Sequence, residues 1–200
     1  MPEKEFHKSN NRFLFNLKSG LHLEVGSVLV AQPFWVEEIY RQSVILITDC
    51  NASGSSGIII NKISNIRLFQ ILPEATVRGR LYYGGPEALG SYTYVHNLPS
   101  IPEADYFGNG IYFGGDPACV EEMIIHKRIN FEKIKFYSGT VQWNKGQLEE
   151  EIADGKWWLT KITSREIFGV AHPDLWSFIL RHSNHLYGLF AAQEMDSSLN

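Results

Sequence analysis

Hydrophobic residues in this chain come in short, separated runs, and the spacing inside each run assigns it to strand or helix. Ser27-Val28-Leu29-Val30-Ala31 opens after Gly26 and closes before Pro33; Ser43-Val44-Ile45-Leu46-Ile47-Thr48 and Gly57-Ile58-Ile59-Ile60-Asn61 follow. Short, continuously apolar, β-branched runs of this kind are expected of central strands covered on both faces. A flexible loop, Asn51 to Ser56, is expected between the second and third. Arg80 to Tyr83, ending at Gly84-Gly85-Pro86, and Ile111-Tyr112-Phe113, ending at Gly114-Gly115, read as further strands. Tyr92, Tyr94 and His96 alternate with Thr93 and Val95, the pattern of a strand with two unlike faces. Ile134 to Trp143 is a long strand bent at Gly139, and Lys156 to Lys161 is another.

Helices are marked by their ends. Ser64 or Asn65 is placed to cap a turn or two through Ile66, Leu68, Phe69, Ile71 and Leu72, stopped by Pro73. Asp116 as N-cap and Pro117 as first residue open a helix carrying Val120, Met123 and Ile124, with Lys127 and Arg128 at its C-terminal end. Asn144-x-x-Gln147 and Thr163-x-x-Glu166 both have capping-box form. The first opens a helix over Lys145 to Asp154, ended by Gly155 at the position that favours φ > 0. A last helix starts near Pro173 and buries Leu175, Trp176, Ile179 and Leu180. The expected organisation is a loosely docked leader over 1–19, one domain over 20–190 and a frayed tail over 191–200, an α+β fold.

Composition narrows the function classes. Two hundred residues with 44% hydrophobic and 20% charged side chains suffice for one core. The net charge of −4 and scattered lysines disfavour direct nucleic-acid binding, which concentrates basic residues. The densest basic set, Lys127, Arg128, Lys133 and Lys135, is interrupted by Glu132 and apolar positions. Charges break the first 20 residues and no run approaches the ~18 apolar residues of a membrane helix, so a cytoplasmic protein with Cys50 and Cys119 as free thiols is expected.

The motifs of well-known chemistries are incomplete. Gly54-Ser55-Ser56-Gly57 lacks the spacing of a nucleophile elbow. Gly108-Asn109-Gly110 reaches its next glycine, Gly114, one residue too late for a dinucleotide loop, and Gly57 to Lys62 is too poor in glycine for a phosphate-binding one. His182-x-x-His185 puts two imidazoles on one helix face without a third ligand, so neither a metal nor a cofactor is expected. Cys119, near a helix N-terminus that favours a thiolate, is the redox candidate. Gly84-Gly85-Pro86 and Gly114-Gly115-Asp116 can expose N–H groups to an anion, although tight turns and close backbone approach also require glycine. The segments Leu81–Gly85 and Ile111–Gly115 echo each other as aromatic strands ending in two glycines.

Taken in order, Gly26-x-Val28-Leu29-Val30-Ala31-x-Pro33, Ser43-Val44-Ile45-Leu46, Gly57-x-x-x-Asn61-Lys62 and Gly84-Gly85-Pro86 resemble the AlgH/YqgE family. So do Gly139-x-x-x-Trp143-x-x-Gly146-Gln147-Leu148-Glu149, Glu151-Ile152, Trp157-Trp158, Ile167-Phe168 and Leu175-Trp176. The resemblance runs from about Gly20 to Tyr187. It implies coiled mixed β-sheets with helices outside, no catalytic set, and a link to transcriptional regulation. The residues themselves give a folding reason for the Trp143 stretch: Trp143 wedges beneath a helix that Asn144 and Gln147 cap and Leu148 and Ile152 seal, leaving Glu149, Glu150 and Glu151 as an acidic face. A binding or regulatory module is therefore expected, acting on an unidentified protein partner or small ligand without catalysis. Its candidate residues are Asn61, Lys62, Gly84, Gly85, Pro86, Trp143, Gln147 and Glu149. The alternative is an enzyme or ligand sensor built from Asn61, Lys62, the glycine pairs and Glu149.

Overall fold

One strand organises the molecule. In the computed structural model, which describes residues 21–33, 37–73 and 79–183, strand β9 (Ile134–Asn144) changes neighbours along its length. The strands before it are β1 (Val28–Ala31), β2 (Val44–Asn51), β3 (Gly54–Ile59), β4 (Ile63–Arg67), β5 (Arg80–Tyr83), β6 (Glu87–His96), β7 (Asp105–Gly108) and β8 (Ile111–Phe113). β10 (Trp157–Thr160) follows. The sheet runs β10-β1-β2-β3-β9-β6-β8-β7, with β4 and β5 forming a branch. The first half of β9 lies parallel to β5 and antiparallel to β6; its second half turns to β3. One parallel pair among antiparallel ones makes the sheet mixed, and with the helices below the fold is α+β.

The switch in β9 occurs at Gly139, whose φ is +85°. A Cβ there would lie 2.1 Å from the Gly85 carbonyl oxygen, and one on Gly84 would lie 2.2 Å from that of Gly139. The two backbones touch where the sheet forks, and only hydrogen fits between them. The Gly84 N–H donates to Ser138 O at 2.7 Å, and Ile59 N–H donates to Gly84 O at 2.8 Å, stitching β3, β5 and β9 together.

Strand alternation sorts the side chains into cores on the two faces. On one face Val28, Val30, Val44, Leu46, Ile58, Tyr82 and Tyr137 meet helices α3 (Ser164–Gly169) and α4 (Leu175–Ser183). Trp176 anchors α4, its indole N–H donating to Ala31 O at 2.8 Å. On the other face Leu29, Ile45, Ile47, Ile59, Trp143 and Trp157 lie under α2 (Gln147–Ala153), while Leu81 and Phe136 lie under α1 (Pro117–Ile125). Most of these side chains are fully buried, each stabilising the fold by roughly 1.5–3 kcal/mol.

Four expectations are corrected. Residues 51–56 are not a flexible loop: β2 and β3 continue as a hairpin, pairing Cys50 with Ser55 and Asn51 with Gly54. Its tip is an Asx turn, with Ser53 N–H donating to Asn51 Oδ1 at 2.8 Å. The expected helix after Ser64 is instead the edge strand β4 and a 3-10 turn, Leu68–Gln70. Ser64 accepts from Ile66 N–H across an irregularity in the β4–β5 ladder, and tertiary pairing overrides the helical spacing. The helix expected from Lys145 starts at Gln147, because Gly146 is left-handed (φ +79°) and Asn144 is held in β9 against Gly54. Half of that capping box survives, as Gln147 Oε1 accepting Asn144 N–H at 3.0 Å. The glycine-ended echo is no repeat unit, since β5 runs parallel to β9 while β8 is antiparallel to β6 and β7. The other capping box and the Asp116 cap form as expected. The leader, the tail and His185 lie outside the described residues.

Candidate functional site

Helix α2 is laid across the sheet by Leu148, which is fully buried, while Glu149 and Glu150 sit in its first turn, favourable for the helix dipole. The next residue, Glu151, points inward. Its Oε2 accepts the indole N–H of Trp143 at 3.0 Å and that of Trp157 at 2.8 Å. Its Oε1 accepts from Gln147 Nε2 at 3.2 Å and lies 3.9 Å from Lys156 Nζ. A carboxylate offers about four acceptor positions, and each faces a donor here. Glu151 is thus a hub that fixes two indoles rather than a group free to meet a ligand. The rings it holds stand perpendicular, 6.4 Å apart at 87°.

These rings wall a cleft of ≈ 180 Å³ that also exposes Glu37, Tyr40, Gln142 and Lys156. Tyr40 meets Trp157 edge-on at 5.9 Å. It is delivered by the 3-10 turn Glu38–Tyr40, which is tied down from another part of the chain: Lys62 Nζ donates to Ile39 O at 2.6 Å. Burial lowers the Lys62 pKa. The Asn61 amide secures the same corner, accepting from Val44 N–H and donating to Gln42 O, both at 2.8 Å. Glu37 and Glu151 bring negative charge to the cleft, and Lys156 offsets part of it. Burial chiefly raises the Tyr40 pKa, and the charge of Glu37 and then Tyr83, Glu151 and Glu87 push it the same way. A shallower groove runs on from it past Asp49, Ser56, Glu87 and Asn144, sharing Gln142 and Trp143.

The expected residues therefore divide. Trp143 and Gln147 meet in the cleft, and Asn61 and Lys62 brace the turn that forms one wall. Gly84 and Gly85 are buried at the sheet fork with Pro86 half-buried beside them, and Glu149 is exposed on the outside of α2. Cys119 lies half-buried in the first turn of α1, and Cys50 accepts a weak hydrogen bond from Ser55 Oγ at 3.5 Å. Tyr40 and Glu37 were not singled out from the sequence, and Glu151, expected on the acidic outer face with Glu149 and Glu150, points inward to the two indoles instead. The Gln147-x-x-x-Glu151 spacing carries part of the signal, since it puts both side chains on one helix face; nothing local points to Tyr40. Among the described residues no group of three or more His, Cys, Asp or Glu side chains is placed to hold a metal ion, and no helix is long and apolar enough to cross a membrane. His182 is exposed, its Nδ1 2.7 Å from Phe178 O.

Comparison with known proteins places this geometry in context. The profile of the AlgH-like family matches residues 28–187. A UPF0301 protein of Chlamydia abortus is 30% identical over 184 residues, covering 89% of this chain and 96% of its own. One from Cytophaga hutchinsonii is 25% identical over 181 residues, covering 89% of this chain and all of its own. A crystal structure of a Corynebacterium diphtheriae protein superposes with a TM-score of 0.74 at 23% identity, covering 89% of this chain and 96% of that one. The solution structure of AlgH from Pseudomonas aeruginosa gives 0.63 at 20% identity, covering 86% and 97%.

Proposed function

Since the chain belongs to the AlgH-like family, a family of uncharacterised function, we propose that it is a non-catalytic binding module with a regulatory role, and that its cleft receives a cationic group from a partner. The observation that carries this reading is the pairing of aromatic walls with the carboxylate of Glu37, which has no basic partner among the described residues. Tyr40, Trp143 and Trp157 surround a space bordered by Glu37 and Glu151, with Glu87 nearby. A guanidinium or ammonium group is attracted both by ring faces and by the carboxylates. The Glu151 hub fixes the indoles beforehand, which limits the entropy lost on binding.

A protein partner presenting an arginine or lysine is the favoured occupant, because the shallow groove beyond Trp143 gives a longer segment somewhere to lie. A regulatory role then operates through protein contact rather than DNA. Calorimetric titration with N-acetylarginine amide tests this. The expected result is weak saturable binding, on the order of 1 mM, that Glu37→Gln reduces and that the neutral citrulline analogue does not reproduce. Equal heats from arginine and citrulline analogues would overturn it.

A further inference from the structure

The opposite face of the sheet holds a second polar feature, independent of the cleft. Lys135 projects from β9 into the core beneath α3 and α4 and is 9% exposed. Its Nζ donates to Ile167 O at 2.6 Å, in the last turn of α3, where a cation suits the helix dipole. That bond uses one of three N–H groups. The ammonium otherwise lies over two rings, 5.2 Å from the centre of Tyr82 and 5.8 Å from that of Phe168. Among the described residues no carboxylate pairs with it.

More positive charge is gathered at the same place. The parallel register sets Leu81 beside Phe136 and Tyr82 beside Tyr137, so one step earlier Arg80 falls beside Lys135 on the same face. Like charges side by side in a sheet repel, and Arg80 likewise has no carboxylate partner among the described residues. His172 packs edge-on against Tyr82 at 5.7 Å. Burial first, then Lys135 and Arg80, lower its pKa, with only Asp174 acting against them. Burial brings the Lys135 pKa down to about 8. Beside Tyr82, at 5.4 Å between ring centres, Tyr137 keeps a buried hydroxyl with no hydrogen-bond partner among the described residues. Capping α3 needs one cation. It does not account for three basic groups converging on one aromatic face.

We infer that Arg80, Lys135 and His172 form a binding site for a small-molecule oxyanion, a phosphate or a carboxylate, seated against the Tyr82 ring. Arg80 supplies an exposed, planar pair of donors, Lys135 a buried point charge with two N–H groups that have no hydrogen-bond acceptor among the described residues, and His172 a third donor. The depth of Lys135 favours a small ligand over the backbone of a nucleic acid. Binding of the anion favours the protonated forms of both Lys135 and His172, so affinity falls as pH rises, first below the usual histidine range where His172 loses its proton and again near 8 where Lys135 does.

The test is acylation of the full-length protein by a mild amine-reactive ester at pH 8, with the extent of Lys135 modification read by peptide mass spectrometry. Inorganic phosphate and acetate are titrated separately, with chloride added to hold ionic strength constant. The inference predicts saturable protection of Lys135 by phosphate or acetate, with a midpoint on the order of 1–10 mM, while Lys127 and Lys133 are unprotected. Arg80→Gln, a change at an exposed position, should move that midpoint up by about tenfold. Whichever anion protects at lower concentration identifies the headgroup. Protection matched by chloride, or a midpoint unchanged in Arg80→Gln, would overturn the inference. As an arm that does not depend on chemical modification, inorganic phosphate should raise Tm in the native protein and not in His172→Ala or Arg80→Gln; an equal rise in all three would overturn it as well.

Discussion

Replacing Glu151 by alanine removes the acceptor of two buried indoles. Trp143 and Trp157 are 6% and 2% exposed, and each would keep a desolvated N–H with no partner. An unsatisfied buried donor costs roughly 1–3 kcal/mol, so two give about 2–6 kcal/mol. The Glu151 side chain is itself 18% exposed, so water from the cleft can reach part of the space left behind. That places the expected loss in the lower half, about 2–4 kcal/mol. The assay is urea unfolding followed by tryptophan fluorescence. With a slope of about 2 kcal/mol/M for a chain of this size, the midpoint should fall by about 1–2 M. Glu150→Ala, on the exposed side of the same helix, is the control and should stay within about 0.5 kcal/mol. If Glu151→Ala costs no more than Glu150→Ala, the hub does not hold the indoles and the preorganised cleft is wrong.

Four further outcomes follow from the structure. Gly84→Ala drives a methyl group against the Gly139 carbonyl at 2.2 Å and should destabilise the fold by more than about 3 kcal/mol in thermal melts. Gly146→Ala, left-handed but with open space around it, should cost about 1 kcal/mol. His96 is fully buried, with Nε2 2.9 Å from Gly114 O and Nδ1 accepting Leu98 N–H at 3.2 Å. This bonding fits the neutral ring, and burial lowers its pKa. The unfolded chain therefore binds the proton more readily, so stability is full above the usual histidine value of about 6.5 and is lost as pH falls below it. Tm measured from pH 7.5 to 5 should drop, and His96→Gln should flatten that slope. Lys62→Met frees Ile39 O from its anchor and should lower stability by about 1 kcal/mol while weakening arginine-analogue binding in calorimetry, because Tyr40 and Glu37 are no longer held in place.

The parts of the fold legible in the sequence are those that physics makes local. β1, the buried part of β2 and the Ile58–Ile60 segment read clearly because both their faces are buried, leaving continuous β-branched runs. The Asp116 and Thr163 caps read clearly because each is complete within a few residues. The β4 segment is hidden because Ile66, Leu68, Phe69, Ile71 and Leu72 suit a helical period, while only the partner strand β5 makes Ile63–Arg67 extended. β7 went unseen because its residues are exposed or half-buried and carry no periodic signal. The candidate site splits the same way. Trp143 and Gln147 belong to one local helix entry and could be named. Tyr40 reaches Trp157 from more than a hundred residues away, through a turn anchored by Lys62, and no pattern along the chain encodes that meeting. Glu151 was visible only as one of three consecutive glutamates; which of them points inward depends on where α2 begins, and Gly146 moves that start by two residues.

The most direct test of the cation-binding cleft is the indole N–H resonances of Trp143 and Trp157, assigned by Trp→Phe variants and followed as N-acetylarginine amide is added at low salt. Both hydrogens point at Glu151 on the wall of the cleft, so they report its occupancy at the atoms that define it. The account predicts that both resonances move together along one saturable curve, that Glu37→Gln and Tyr40→Ala weaken the response, and that the citrulline analogue leaves them in place. Resonances that stay fixed under arginine, or shift equally with citrulline, would contradict it.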